Sequence, residues 1–280
     1  MPTILLATFE LVPTGEAGAD LLVEALARRG VRASWAVWSD PGIDWAAADA
    51  VVVRSTWDYH RRYAEFLAWA RRVEAVTRLV PGTDVLAWNG DKRYLLDLAE
   101  HVPVVPTRSV EADGLVAGLA AGLADHGSVV IKPRVGASGV GLVVAGALDD
   151  HRLATLTAGP WIVQPVVGSV RTEGETSVYV FGGAAVSQLR KTPPAAGIRV
   201  QEEHGGTTAA VDLDPDAVSL AERTVAVAAK LLGRTPSYAR VDLLRWEGDL
   251  VVSELELIEP GLYLDLAPQN VEAFAAHVLD

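Results

Sequence analysis

The amino-acid sequence predicts an α/β (α+β) protein of three subdomains, a parallel-sheet unit followed by two mixed units. Three observations predict it. Over residues 1–88, apolar strand-like runs alternate with segments of helical spacing, the pattern of a parallel sheet flanked by helices. Past residue 89 that alternation stops, and the apolar strand Ser128–Pro133 runs through a small-residue loop into another strand instead of a helix. Near the end, Tyr238-Ala-Arg-Val-Asp242 and Ser253-Glu254-Leu-Glu256-Leu-Ile-Glu259-Pro260 form an acidic hairpin.

In the first unit (1–88), Ile4–Phe9 is a short apolar strand. Ala17–Arg29 is a helix with Leu21, Leu22, Ala25 and Leu26 on one face, ended by Gly30. Val31–Trp38 and the very short Ala50–Val53 are strands, and Tyr63–Val76 is an amphipathic helix. In the second unit (89–167), Lys92–His101 reads as helix and Ser128–Pro133 and Gly141–Ala145 as strands. Trp161–Val167 is apolar and extended, with Pro165 arguing for a sheet edge or linker. In the third unit (168–280), strands are expected at Ser177–Phe181 and Ala184–Leu189. A mobile Pro/Gly-rich stretch, Pro193–Thr208, precedes a strong helix over Pro215–Leu232. The acidic hairpin Ala239–Leu257 turns at Glu247-Gly248-Asp249, and a helix over Asn270–Leu279 closes the chain.

Composition removes several function classes. Of 280 residues, 50% are hydrophobic, enough for a substantial core. There is no cysteine, which excludes disulfides, thiolate metal sites and a cysteine nucleophile. The first residues, Met1-Pro-Thr-Ile-Leu-Leu-Ala, lack the basic region of a signal peptide. No apolar stretch approaches the ~20 residues of a membrane span. A cytoplasmic location without a membrane partner is therefore expected. The formal net charge of −12 opposes nucleic-acid binding.

A strand sends every second side chain to one face, so Asp242, Glu254 and Glu256 share a face of the hairpin. Buried carboxylates are costly unless neutralised, and a divalent cation with oxygen ligands, magnesium foremost, would do it. Glu259 breaks the alternation beside Pro260 and is left out of the set. Val129-Val-Ile-Lys132-Pro133 is a strand ending in a lysine, followed by Arg134-Val-Gly136-Ala-Ser138-Gly139-Val-Gly141. Small residues let backbone N–H groups approach phosphate, and lysine supplies a point charge. An ordinary glycine hairpin with a solvated lysine is the competing explanation.

Lys92 follows Trp88-Asn89-Gly90-Asp91, where it would reach a phosphate unless Asn89 or Asp91 merely caps a helix. Trp161-Ile-Val-Gln164-Pro165-Val166-Val167 offers a purine apolar faces and backbone edges, or is simply a core strand. Lys191 and Arg199 bracket Pro193-Pro-Ala-Ala-Gly197, with Gly205-Gly206 beyond. Such a loop closes over a phosphoryl group or lies solvated on the surface. Arg54-Ser55-Thr56-Trp57-Asp58-Tyr59 follows a short strand, where α/β proteins place ligands. Arg54 would clamp a carboxylate and Asp58 an amine, or Asp58 caps a helix while Trp57 packs in the core.

In order, these elements resemble the ATP-grasp superfamily over nearly the whole chain, and prokaryotic glutathione synthetase-like enzymes within it. The resemblance implies an ATP-grasp fold with ATP held between two α+β subdomains. It implies that Lys92 and Lys132 contact phosphates, that Gly136, Ser138 and Gly139 belong to the phosphate-covering loop, and that Gln164, Pro165, Val166 and Val167 form the adenine hinge. Glu175 falls where an acid contacts ribose, with Glu173 as the alternative register. Arg199, six residues before Gly205-Gly206, and Lys191 match the catalytic cations and substrate loop. Asp242 and Glu254 match the metal ligands, and Glu256 replaces the usual asparagine. A subgroup carrying Arg-Ser-Thr-Trp-Asp-Tyr and Trp-Asn-x-Asp-Lys-x-Tyr-Leu includes the cyclo-ligase that closes O-ureido-D-serine to D-cycloserine.

What the resemblance implies is an ADP-forming carboxylate–amine ligase acting through an acyl phosphate. Its cofactors would be ATP and two Mg2+, with Mn2+ as a substitute, and its substrate a small carboxylate or amino acid. A homodimer or higher homo-oligomer is expected from the family. The alternatives are an intermolecular amino-acid ligase, a kinase with a stable phosphorylated product, and a silent nucleotide-binding protein.

Overall fold

The computed structural model describes residues 1–195 and 197–278. Ala196, inside the expected Pro/Gly-rich loop, and Leu279, the expected end of the last helix, lie outside the described residues.

The first sheet has four parallel strands, β1 (Thr3–Thr8), β2 (Arg32–Val37), β3 (Ala50–Ser55) and β4 (Arg78–Val80), in the order β2-β1-β3-β4. Every residue of β3 is buried, as its continuous apolar run requires of an interior parallel strand. Helices α1 (Ala19–Arg28), α2 (Tyr63–Glu74) and α3 (Thr83–Asn89) accompany it. In α1, Leu22, Ala25 and Leu26 are buried, the face expected from their spacing.

The second sheet follows α4 (Tyr94–Ala99). It contains β5 (Arg108–Val110), β6 (Val129–Pro133), β7 (Val143–Ala145) and β8 (Trp161–Pro165), all antiparallel pairs in the order β5-β8-β6-β7. Helix α5 (Leu115–His126) packs on it through Leu119, close enough that a Cβ on Gly122 would meet Val163 at 2.9 Å. Pro165 does not mark an edge strand. It is the last residue of β8, an interior strand, so its missing N–H costs the ladder nothing further along.

The third sheet is antiparallel, order β11-β10-β9-β12-β13, built from β9 (Glu175–Phe181), β10 (Ala184–Thr192), β11 (Thr207–Val211), β12 (Tyr238–Trp246) and β13 (Asp249–Glu256). The stretch expected to be mobile through Thr208 ends in β11, which pairs with β10 from Thr192↔Thr207 onward. Helix α6 (Pro215–Leu232) begins where its signals place it. Asp214 accepts from the backbone N–H of Asp216 and Ala217 at 3.0 Å each, and Pro215 opens the helix. Such a cap contributes about 1 kcal/mol. The β12–β13 turn has positive φ at Glu247 (53°) and Gly248 (97°), the two-residue hairpin geometry that matches strand twist.

The last helix, α7 (Gln269–His277), returns to the first sheet. Phe274 and Val271 share a core cluster with Ile4, Leu6 and Leu22. Among the described residues, no helix is long and apolar enough to cross a membrane.

Candidate active site

The acidic hairpin is set by its register. Asp242 lies opposite Glu254 and Arg240 opposite Glu256, so four charged side chains share one face. A bulge after Asp242 leaves Ser253 unpaired with β12 side chains, and its hydroxyl donates to the Asp242 carbonyl at 3.0 Å. Ligand oxygens of Asp242, Glu254 and Glu256 lie within 4.8 Å of one another. Three oxygen donors at that spacing fit a hard divalent cation.

Arg240 is a residue the sequence reading missed, although it stands on Asp242's face two positions earlier. It donates to Asp242 at 2.9 Å and also to Glu256. Ser177 donates to Asp242 from β9, and Lys191 stands 3.5 Å from Asp242 and 3.7 Å from Glu175. The chain's own cations thus neutralise much of the acid charge. Burial pushes the Asp242 carboxyl up, but Arg240 and Lys191 outweigh it and hold it below its ordinary value. Burial, with Asp242 adding to it, lifts Glu175 to about 7. Burial raises Glu256 as well, with Arg240 opposing.

Two tethers bring the phosphate-side lysines here. Asn89, buried at the end of α3, donates to the Leu255 carbonyl at 2.8 Å and accepts from Leu257 N–H at 2.7 Å. It is not a cap for the next helix. It pins the segment carrying Lys92 to β13, where the Lys92 ammonium bonds Glu254 and the Gly136 carbonyl, the latter at 3.1 Å. Arg134 then clamps Asp91 through Nε at 3.0 Å and accepts from Lys92 N–H at its carbonyl at 2.8 Å. That ties the end of β6, and with it Lys132, to the same turn. Burial opposes the charge on both lysines. Glu254 outweighs it at Lys92, whose pKa is raised, but not at Lys132, whose pKa is lowered. The same two lysines hold Glu254 below its ordinary value against the push of burial.

These groups line one cavity of about 440 Å³ between the second and third sheets. Asp242, Glu254, Glu256, Lys92, Lys132 and Lys191 all face it. The loop after β6 contributes Gly136, Ser138 and Gly139, the last two at φ 53° and 63°. Arg199 and Glu175 line it too, and so do Gln164, Pro165 and Val167. Gln164 is anchored by donating to Thr107 Oγ1 at 2.8 Å. Two loops meet over this space. Arg199 donates to the Leu142 carbonyl at 2.6 Å, and a His204 ring nitrogen lies 3.3 Å from the Ser138 carbonyl.

Other expected residues are not brought to the cavity. Val166 is absent from its wall, its N–H directed to the Ser128 carbonyl. Glu173 pairs with Arg245 at 3.1 Å on the surface, leaving Glu175 as the acid of that pair inside. Gly205 and Gly206 shape a turn instead of touching the cavity. A Cβ on Gly206 would fall 2.0 Å from the Val200 carbonyl oxygen.

The largest correction concerns Arg54, Ser55 and Thr56, each 0% exposed and none on the cavity wall. The expected clamp, Arg54, is instead engaged inside the fold. It bonds Glu16 at 2.6 Å and the Pro260 carbonyl at 2.9 Å, between the rings of Tyr238 and Phe274 at 5.3 and 5.1 Å. Asp58 is equally engaged, accepting from Trp38 Nε1 at 2.8 Å and Arg62 Nη2 at 2.9 Å. Only Trp57 of the five faces the cavity, donating Nε1 to the Glu259 carbonyl at 3.2 Å. Glu259, set aside on pattern, lines it as well. Burial, reinforced by Glu256, pushes its carboxyl up to about 8.

Comparison with known proteins agrees with this architecture. The family described as D-cycloserine synthetase DcsG, N-terminal domain, matches residues 4–81. The Cycloserine biosynthesis protein DcsG of Streptomyces lavendulae is 34% identical over 269 residues, covering 91% of this chain and 90% of that protein. The crystal structure of D-cycloserine synthetase DcsG superposes with a TM-score of 0.88 at 31% identity over 98% of both chains. An ATP-grasp RimK domain protein from Sphaerobacter thermophilus (TM-score 0.72, 21% identity, all of both chains) shares the fold. So does the D-alanine–D-alanine ligase of Bacillus anthracis (TM-score 0.70, 12% identity, 100% of this chain and 96% of that one). The chain therefore belongs to the DcsG family of ATP-grasp ligases, and it is an enzyme.

Proposed function

We propose that the protein is an ADP-forming carboxylate–amine ligase that makes a C–N bond through an acyl phosphate. Its specific reaction, on this reading, is closure of O-ureido-D-serine to D-cycloserine. The observation that carries the class is the convergence of three carboxylates within 4.8 Å with Lys92 and Lys132 on one cavity wall. Likeness to DcsG over 91% of the chain supports the substrate.

The donor set is all carboxylate oxygen, which suits magnesium, with manganese as a substitute, over a soft metal. Asp242, Glu254 and Glu256 would hold two ions, which when bound with ATP neutralise phosphate charge and align the γ-phosphorus. Lys92 would leave its Glu254 carboxylate and Gly136 carbonyl for phosphate oxygens, with Lys132 joining it there. Gln164, Pro165 and Val167 would hold adenine, and Glu175 the ribose. Arg199 and Lys191 would stabilise charge on the transferring group and on the tetrahedral carbon that follows. The loops joined by Arg199 and Leu142 would exclude water from a hydrolysable intermediate.

In the reaction, a substrate carboxylate oxygen bonds to the γ-phosphorus and ADP leaves. The aminooxy nitrogen of the substrate then attacks the acyl carbon and loses its proton, phosphate departs with the bonding pair, and water cleaves the carbamoyl group from that nitrogen as carbon dioxide and ammonia. No side chain acts as nucleophile. The test is ADP release with O-ureido-D-serine, with and without hydroxylamine. A hydroxamate is expected. A stable phosphate ester would indicate a kinase, and no ADP from any carboxylate would leave only nucleotide binding.

A further inference from the structure

The chemistry above leaves Glu259 unused. It sits in Ile258-Glu259-Pro260, just past β13, and is 6% exposed. It lines the cavity, yet its carboxylate has no hydrogen-bond or ion-pair partner among the described residues. Glu202, Glu203 and Asp265 of the wall are exposed; among the acids that are not, Glu259 differs in this. Asp242 and Glu256 share Arg240, Glu254 holds Lys92, and Glu175 faces Lys191. Glu16 is bound by Arg54 and by the Leu262 N–H at 2.7 Å. Glu259 also stands outside the group whose ligand oxygens approach within 4.8 Å. The cations whose fields reach it, Arg240 and Lys92, are already bonded to other acids.

A buried carboxylate without a cation is costly, and the cost is relieved when a cation arrives. No cation among the described residues bonds Glu259, although Lys191 lies 6.0 Å from the Tyr263 ring centroid. Trp57, whose Nε1 donates to the Glu259 carbonyl, lines the cavity, as do Tyr59, Gly261 and Tyr263. Asp58, the acid that the sequence pattern offered for an amine, is spent on Trp38 and Arg62.

We infer that Glu259 anchors the ammonium group of the substrate, so that the site selects an α-amino acid over the same carboxylic acid without its amine. The assignment rests on the ligase reading only in taking the substrate to be the activated carboxylate. A charge-assisted hydrogen bond of this kind corresponds to about tenfold to hundredfold in affinity.

The experiment is calorimetric titration of the full chain, with magnesium and a non-hydrolysable ATP analogue present. O-Ureido-D-serine is compared with its desamino counterpart, in the wild type and in Glu259→Gln. The wild type should prefer the amine form by about tenfold or more. Glu259→Gln should lose that preference while binding the nucleotide within about twofold of wild type. Equal binding of both compounds by the wild type, binding of neither, or an unchanged preference in the variant would each overturn the inference. If Glu259→Gln no longer binds nucleotide, Glu259→Asp decides by the same ratio. The ligase reading fails separately, if the amine preference holds but no ADP is released.

Discussion

Replacing Arg54 by methionine tests the reassignment of that residue from substrate clamp to structural core. Methionine keeps apolar contact with Tyr238 and Phe274 and removes only the charge and its donors. Left behind is Glu16, whose side chain is 6% exposed and which loses its 2.6 Å partner, together with an unanswered Pro260 carbonyl. Breaking a buried pair from one side costs about 3–5 kcal/mol. For a chain of this size that corresponds to a fall in Tm of roughly 6–20 °C. Differential scanning calorimetry reads it directly. The double variant Arg54→Met, Glu16→Gln should recover part of the loss, because no unpaired charge remains. A Tm within about 2 °C of wild type, accompanied by a rise in amino-acid KM but not in ATP KM, would refute the reasoning and restore the clamp.

Two further outcomes follow from the site. Glu254→Gln should lower turnover by about two orders of magnitude or more, through loss of a metal ligand and of the charge that holds Lys92. Its Tm should be close to wild type, and near-normal turnover would contradict the metal role. Glu259 gives a pH signature in the free protein. Burial raises its folded pKa from 4.5 to about 8, with Glu256 and Glu254 adding to the rise and Arg240 and Lys92 opposing. Between those values the folded state keeps a proton that the unfolded chain has lost. Stability from this group therefore falls as pH rises from about 4.5 to about 8 and is flat above. Melting curves across that window should slope less for Glu259→Gln, and parallel profiles would count against a buried, raised carboxyl.

How much of this was legible in the sequence depends on which physical signal each residue carries. Asp242, Glu254 and Glu256 were readable because a strand's period of two forces them onto one face. Lys132 was readable as a charge ending an apolar strand. Arg240 obeys the same alternation as Asp242 and was open to the same reading, but attention to carboxylates passed over it. Arg54 was not readable. Its position after an apolar strand suits a ligand loop, and only the return of α7 and the Pro260 segment encloses it. Glu259 failed for the opposite reason. It leaves the strand pattern, so periodicity says nothing about where it points. Helix α5 escaped because Gly118 and Gly122 interrupt its apolar spacing. Strand β11 escaped because its Thr/Ala sequence is only partly buried at a sheet edge.

The central claim is that a substrate carboxylate is phosphorylated by ATP and then displaced by nitrogen. The most direct measurement uses substrate labelled with 18O in its carboxylate, followed by mass analysis of the released phosphate. One labelled oxygen should appear in each phosphate, since the attacking carboxylate oxygen leaves with phosphorus. Unlabelled phosphate alongside product formation would contradict the account.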